Sequence, residues 1–149
     1  MRFCQNEFTG CVVIGAITSL GHDGPKHYGI VIGESDEDGK VYIAEQNVNG
    51  KRLISWDDFT NQYKANGDIK IDTNRDKNFT LLQVAQRALN AVTKKVNESY
   101  DLLTNNCEHF VNEMRFNKKE SGQVVTTVLG ILVVIGIGWL VWQAAKQTK

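Results

Sequence analysis

Nineteen consecutive residues without a charge, VVTTVLGILVVIGIGWLVW at positions 124–142, constrain this chain more than any other feature. As a helix rising 1.5 Å per residue they reach roughly 28 Å, about the thickness of a bilayer's hydrocarbon core. With 149 residues in all, the chain has room for one modest domain, and a domain of about 120 residues cannot bury a helix that is apolar on every side. The run is therefore expected to span a membrane. Trp139 and Trp142 stand near its end, where aromatic rings favour the interface, and Lys146 and Lys149 follow. Arg115, Lys118 and Lys119 ahead of the run, against two lysines behind it, incline the N-terminal part towards the cytosol. Residues 1–120 are expected to form the working domain and residues 121–149 a single-pass C-terminal anchor.

Charge separates the same two parts. Basic and acidic residues balance at 17 each, but only Lys146 and Lys149 are charged after Glu120. Residues 1–120 thus carry 15 basic against 17 acidic groups. A mildly acidic domain argues against nucleic acid as a partner. Cys4, Cys11 and Cys107 are odd in number and widely scattered, which fits neither a secreted disulfide framework nor the close spacing of a zinc site. The first ten residues lack the apolar core of a signal peptide. A reducing, cytosol-like compartment is expected, which leaves the sequons at Asn78 and Asn97 without consequence.

The pattern along residues 1–120 changes period twice. Residues 10–19, GCVVIGAITS, are apolar and β-branched and predict a buried strand. HYGIVIG at 27–33 and KVYIAEQ at 40–46 flank the charged turn GESDEDG and predict a hairpin, with a further short strand over 52–55. Ser55 is placed to cap a helix over 56–64, and a short strand at 69–71 interrupts the polar stretch 66–78. Leu82, Ala85, Leu89, Val92 and Val96 recur at three and four residues, predicting a helix over 80–96 capped by Thr80. Residues 105–116, NNCEHFVNEMRF, place Phe110, Val111 and Met114 on one helical face. The sum is an α+β fold, an antiparallel sheet packed with helices.

Cys107 falls directly behind Asn105 and Asn106, at or next to the first turn of that last helix. A thiol attacks as its thiolate, and an ordinary pKa of about 8.5 leaves little of that form at neutral pH. The positive end of a helix, and a nearby imidazolium, favour it, and free N–H groups at a helix start are placed to hold an oxyanion. The base must come from elsewhere. His22 lies in the loop GHDGPK and reads as solvated. His109 is two residues after Cys107 on one helix, so its side chain points about 200° away, and it reads as packed beneath the site. His27 opens a strand beside glycines and is the remaining base. A third group should fix its tautomer. Glu45 and Gln46 end the neighbouring strand on opposite faces, and the register decides which one meets His27.

The string NCEHFV at 106–111, continued as NEMRF, closely resembles the signature of the lecithin:retinol acyltransferase-like family, nearest its small phospholipase A/acyltransferase branch. HYGIVIG at 27–33 resembles that family's first histidine motif, and the likeness runs from residue 10 to the end. The resemblance implies a circularly permuted relative of NlpC-type and papain-like folds in which His27 deprotonates Cys107. It implies a thioester acyl-enzyme that passes its acyl group to water, an amine or an alcohol, glycerophospholipid substrates, and neither a metal nor an organic cofactor. The animal lipid enzymes carry a second histidine on the next strand. Here VYIAEQ stands at 41–46, which aligns Glu45 with that histidine and leaves Gln46 as the alternate.

The expected activity is therefore that of a phospholipase A and O- or N-acyltransferase, monomeric, working on phospholipid at a bilayer. The missing second histidine keeps a membrane-tethered cysteine peptidase or amidase in view. A non-catalytic membrane module that retains the fold is the third reading.

Overall fold

The computed structural model describes residues 1–74, 78–94, 106–118, 122–123 and 125–126. Six antiparallel strands form one sheet, ordered β5-β4-β3-β2-β6, with β1 paired to β3. The strands are β1 (Phe3–Cys4), β2 (Val12–Ala16), β3 (Lys26–Ser35), β4 (Val41–Asn47), β5 (Gly50–Ser55) and β6 (Lys70–Asp72), and the described α-helices are α1 (Trp56–Tyr63), α2 (Leu81–Thr93) and α3 (Cys107–Phe116). The fold is α+β, as expected. The run at 124–142 lies outside the described residues apart from Val125 and Thr126, as do Asn105 and residues 95 and 96 of the helix read over 80–96, which α2 covers as far as Thr93. Among the described residues no helix is long and apolar enough to cross a membrane.

Strand alternation sorts the core into two layers. On one face Val12, Ile30, Ile32 and Ala44 pack against Val84 and Ala88 of α2 and Phe110, Val111 and Met114 of α3. On the other, Val13, Val31, Ile43 and Ile54 pack against Phe59 and Tyr63 of α1. A sheet covered on both faces explains why β2 and β3 read as nearly continuous apolar runs rather than as alternation. The strand read over 10–19 is shorter, because the chain leaves the sheet at Ile17 and folds back through a 3-10 turn at Gly21–Asp23. His22 is not simply solvated there: its Nε2 lies 2.7 Å from the Asp68 carbonyl oxygen and ties that turn to the chain before β6. Strand β1 had no sequence signal; two residues carry no period.

Local chemistry fixes the ends of the helices. Ser55 accepts from the Asp58 N–H at the start of α1, and Thr80 and Gln83 form a reciprocal capping box on α2. Helix α3 is held at both ends. At its C-terminus Arg87 from α2 donates Nε to the Met114 carbonyl and Nη2 to that of Glu113, both at 2.9 Å. That places a cation on the negative end of the helix dipole. Asn117 then leaves the helix in the left-handed region at φ 57°. At the N-terminus Asn106 accepts from the N–H groups of Glu108 (2.9 Å) and His109 (3.0 Å). A helix clamped in this way fixes the position of its first residue, Cys107.

Candidate active site

Cys107 occupies the first turn of α3, buried, with its thiol directed at the Lys26 carbonyl oxygen 3.8 Å away. Lys26 opens β3, and His27 is the next residue. Their side chains reach each other around the end of the strand: α3 packs on one face of the sheet, while His27 projects to the other, where it meets Phe59 and Tyr63. The Tyr63 ring stacks on the imidazole at a centroid distance of 5.0 Å and an interplanar angle of 17°. Gly15 faces His27 across the ladder, and a Cβ there would lie 2.6 Å from the Tyr63 Cβ. Glycine at 15 is what lets the phenol ring lie over the imidazole. Gly29 acts likewise on the same face, since a Cβ there would meet Ile43 Cγ2 at 2.4 Å. The glycines around His27 thus admit side chains rather than another backbone.

The register of β3 and β4 pairs Gly29 with Glu45, so Glu45 shares the face of His27 and Gln46 is buried on the opposite one. Glu45 Oε2 lies 2.8 Å from His27 Nε2. Its other oxygen, Oε1, accepts from Arg52 Nε at 2.7 Å and from Asn47 Nδ2 at 3.3 Å. An ionised carboxylate only accepts, so Nε2 carries a proton and Nδ1 is the ring nitrogen left for Cys107. Arg52 is partly exposed and also lines a surface groove with Lys40, Tyr42 and Gln62. Glu45 is fully buried, so the guanidinium joins that carboxylate to solvent.

The electrostatics follow from these contacts. Burial works hardest against a charged His27, but the side chains of Cys107 and Glu45, by hydrogen bonding and charge together, outweigh it. The imidazolium pKa is pushed up to about 9. Burial likewise opposes ionisation of Glu45, yet His27 and Arg52 together hold its pKa below the ordinary carboxylate value. Tyr28, half-buried beside the site, is pushed up to about 12 by burial and then by Glu108 and Cys107, so its hydroxyl keeps its proton at any physiological pH.

The cap on α3 changes one expectation. Of the N–H groups at the helix start, those of Glu108 and His109 are taken by Asn106, and the Cys107 N–H is the one that cap leaves aside. His109 lies buried beneath the site, as read, and its Nδ1 accepts from the Asn106 N–H at 3.5 Å. No disulfide joins Cys4, Cys11 and Cys107, and no cluster among the described residues is arranged to hold a metal. Arg52, Tyr63 and Gly15 were not singled out from sequence. Arg52 had a signal, because a two-residue turn at Val48 and Asn49 sets Asn47 against Gly50 and hence Glu45 against Arg52. Tyr63 had none, because its contact with His27 joins a helix to a strand distant in the chain.

Comparison with known proteins adds an independent line. The family model for lecithin retinol acyltransferase matches residues 13–120. Human phospholipase A and acyltransferase 4 is 38% identical over 56 residues, which cover 32% of this chain and 34% of that protein. The match therefore spans about a third of that relative's length. No solved structure matches. With the family model covering most of the chain, including β3, β4 and α3, this protein belongs to the lecithin retinol acyltransferase family.

Proposed function

We propose that this chain is a thiol phospholipase A and acyltransferase that acts on glycerophospholipids through an acyl-thioester on Cys107. The observation that carries this reading is the chain of contacts from Cys107 through His27 to Glu45, all three buried, and on to the partly exposed Arg52, with the imidazole bonded to the carboxylate at 2.8 Å. In this scheme His27 Nδ1 takes the proton from the Cys107 thiol and the thiolate attacks an ester carbonyl. The oxyanion accepts from the Cys107 N–H. Collapse breaks the ester C–O bond, and the imidazolium returns its proton to the departing lysophospholipid alkoxide. Water, an alcohol or an amine then attacks the thioester with His27 again as base, and the released sulfur recovers a proton. Glu45 orients the ring and stabilises its cation, and Arg52 holds Glu45. Residues 1–120 form the catalytic domain, monomeric and facing the cytosol, and residues 121–149 anchor it, which concentrates the enzyme where its substrate lies.

The carboxylate at position 45, in place of the second histidine of the animal lipid enzymes, favours a second reading as a tethered cysteine peptidase or amidase. One experiment separates the two. The full chain and Cys107→Ala are incubated with vesicles of labelled phosphatidylcholine and, separately, with a peptide library. Cys107 is then weighed by mass spectrometry. Release of fatty acid together with an acyl adduct on Cys107, both absent in Cys107→Ala, is the expected result. Peptide cleavage without lipid turnover would replace the first reading with the second. Identical behaviour of the two proteins on both substrates would refute catalysis.

A further inference from the structure

The two ends of the sheet differ in chemistry. Gly15 faces His27, Gly29 faces Glu45 and Asn47 faces Gly50. The β2–β3 loop, the β4–β5 turn and the start of β3 therefore share one end of the sheet, the end at which Cys107 sits. The turn between β3 and β4, strand β1 and the start of α2 lie at the other. At the Cys107 end Leu20 is 69% exposed and Val48 is 75% exposed, the largest values among the described apolar side chains, and Ile17, in the same loop as Leu20, is exposed as well. Leu20 and Val48 sit on loop tips with no core to join.

Charge is divided along the same axis. Lys26, Lys51, Lys64 and Lys70 outnumber Asp23, Asp68 and Glu108 at the Cys107 end, whereas Glu34, Asp36, Glu37 and Asp38 outnumber Arg2 and Lys40 at the other. The chain leading into the uncharged run is also fastened at the Cys107 end. Gln123 Oε1 accepts from the Lys26 N–H at 2.9 Å, its Nε2 donates to the Lys26 carbonyl at 3.3 Å, and its own N–H donates to Glu108 at 3.0 Å.

We propose that the Cys107 end of the sheet is a bilayer-docking surface, on which Leu20 and Val48 enter the acyl boundary and the surrounding lysines meet anionic headgroups. Exposed apolar tips, a basic surround and the root of the apolar run all lie at one end, and an anionic bilayer is the occupant that uses all three. Docked in this way, the domain presents the mouth of the Cys107–His27 pair to lipid. The acidic end of the sheet points away from the anionic surface. This surface deepens the lipid reading of the site and rests on it.

The test places a fluorophore on Leu20→Cys, Val48→Cys or Leu82→Cys in the full chain, within a Cys4→Ser/Cys107→Ala background. Leu82 is the exposed control at the far end. The proteins are reconstituted into phosphatidylserine-containing vesicles whose acyl chains carry a nitroxide quencher. Quenching several-fold stronger at positions 20 and 48 than at 82 is expected. Equal quenching at all three positions, or the strongest at 82, overturns the proposal. In the otherwise unaltered chain, Leu20→Asp/Val48→Asp should lower the ratio of vesicle to soluble-ester turnover at least tenfold, and Leu82→Asp should leave that ratio unchanged. A wild-type protein that turns over neither substrate would refute the enzymatic reading alone, because the quenching pattern needs no activity.

Discussion

Replacing Glu45 by glutamine keeps the shape of the site and should still disable it, for a reason the hydrogen-bond geometry makes specific. Oε1 of Glu45 receives two donors, Arg52 Nε at 2.7 Å and Asn47 Nδ2 at 3.3 Å. Arginine has only donors, so in Glu45→Gln the amide oxygen must stay on that side. The amide nitrogen then takes the place of Oε2, 2.8 Å from His27 Nε2, and donates to it. The ring responds by carrying its proton on Nδ1, the nitrogen that faces Cys107, where it can no longer accept one. Turning the amide over to restore the tautomer would set the buried amide N–H at position 45 against the Arg52 N–H. Leaving such a donor unpaired costs about 1–3 kcal/mol, which at 1.4 kcal/mol per decade holds the wrong tautomer in excess by roughly 5- to 150-fold. Glu45→Gln should therefore lose at least that factor, and more once the lost stabilisation of the imidazolium is added. Removing the constraint should return part of the loss, so Glu45→Gln/Arg52→Ala should be several-fold more active than Glu45→Gln alone. The assay is the rate of Cys107 alkylation, followed by mass spectrometry of its peptide in a Cys4→Ser background, beside phospholipid turnover. Wild-type rates in Glu45→Gln, or a double variant slower than the single one, would refute the reasoning.

Two further outcomes follow from the same contacts. The folded-state pKa of His27 is raised from 6.5 to about 9, so its contribution to stability is fully present below about pH 6.5 and lost as pH rises through 9. Glu45, held below its ordinary 4.5, contributes above that value and loses its contribution as pH falls. Chemical unfolding of the full chain in detergent should therefore show a loss on the order of 3 kcal/mol between pH 6.5 and 9.5 that His27→Gln does not show; parallel curves for the two proteins would contradict the raised pKa. Gly15→Ala puts a methyl 2.6 Å from Tyr63 Cβ and 2.7 Å from its Cγ, which forces the ring off His27. An overpacking penalty of about 1–3 kcal/mol in unfolding, with slower Cys107 alkylation, is expected, and an unchanged midpoint and rate would show that the ring has room to move.

How much of this was legible in the sequence follows the range of the interactions. The helix starts were, because a cap is read within four residues: Ser55 and Thr80 cap the helices expected of them, and Asn106, in the pair of asparagines that opens the third, caps that one. The hairpin of β3 and β4 was, because apolar runs flank an acidic turn. The choice between Glu45 and Gln46 was not, because a slip of one residue exchanges the two faces and both side chains are polar. The register followed from the pairing of Val31 with Ile43 and from the bulge that follows it, before Gly33, neither of which composition reveals. The stack of Tyr63 on His27 was hidden for a different reason. It depends on the absence of a side chain at Gly15, and a lone glycine inside an apolar strand carries many meanings.

The arrangement around Glu45 also bears on how a buried carboxylate can stand beside the Cys107–His27 pair. A neutral imidazole at that position would leave the site uncharged before proton transfer, and a thiolate–imidazolium pair would leave it uncharged afterwards. A carboxylate alone would make the buried cluster net negative in both states, which opposes formation of a second anion on Cys107 and costs desolvation besides. Arg52, one strand further out and bonded to Glu45 at 2.7 Å, cancels that charge. Cys107, His27, Glu45 and Arg52 then sum to zero on both sides of the proton transfer. The cation sits on the far side of the carboxylate from the imidazole, so the strong bond from Glu45 to His27 is kept while the excess negative field at the sulfur is removed. In electrostatic terms Glu45 and Arg52 together take the place of one neutral residue. The two residues act as a pair because β4 and β5 bring them face to face.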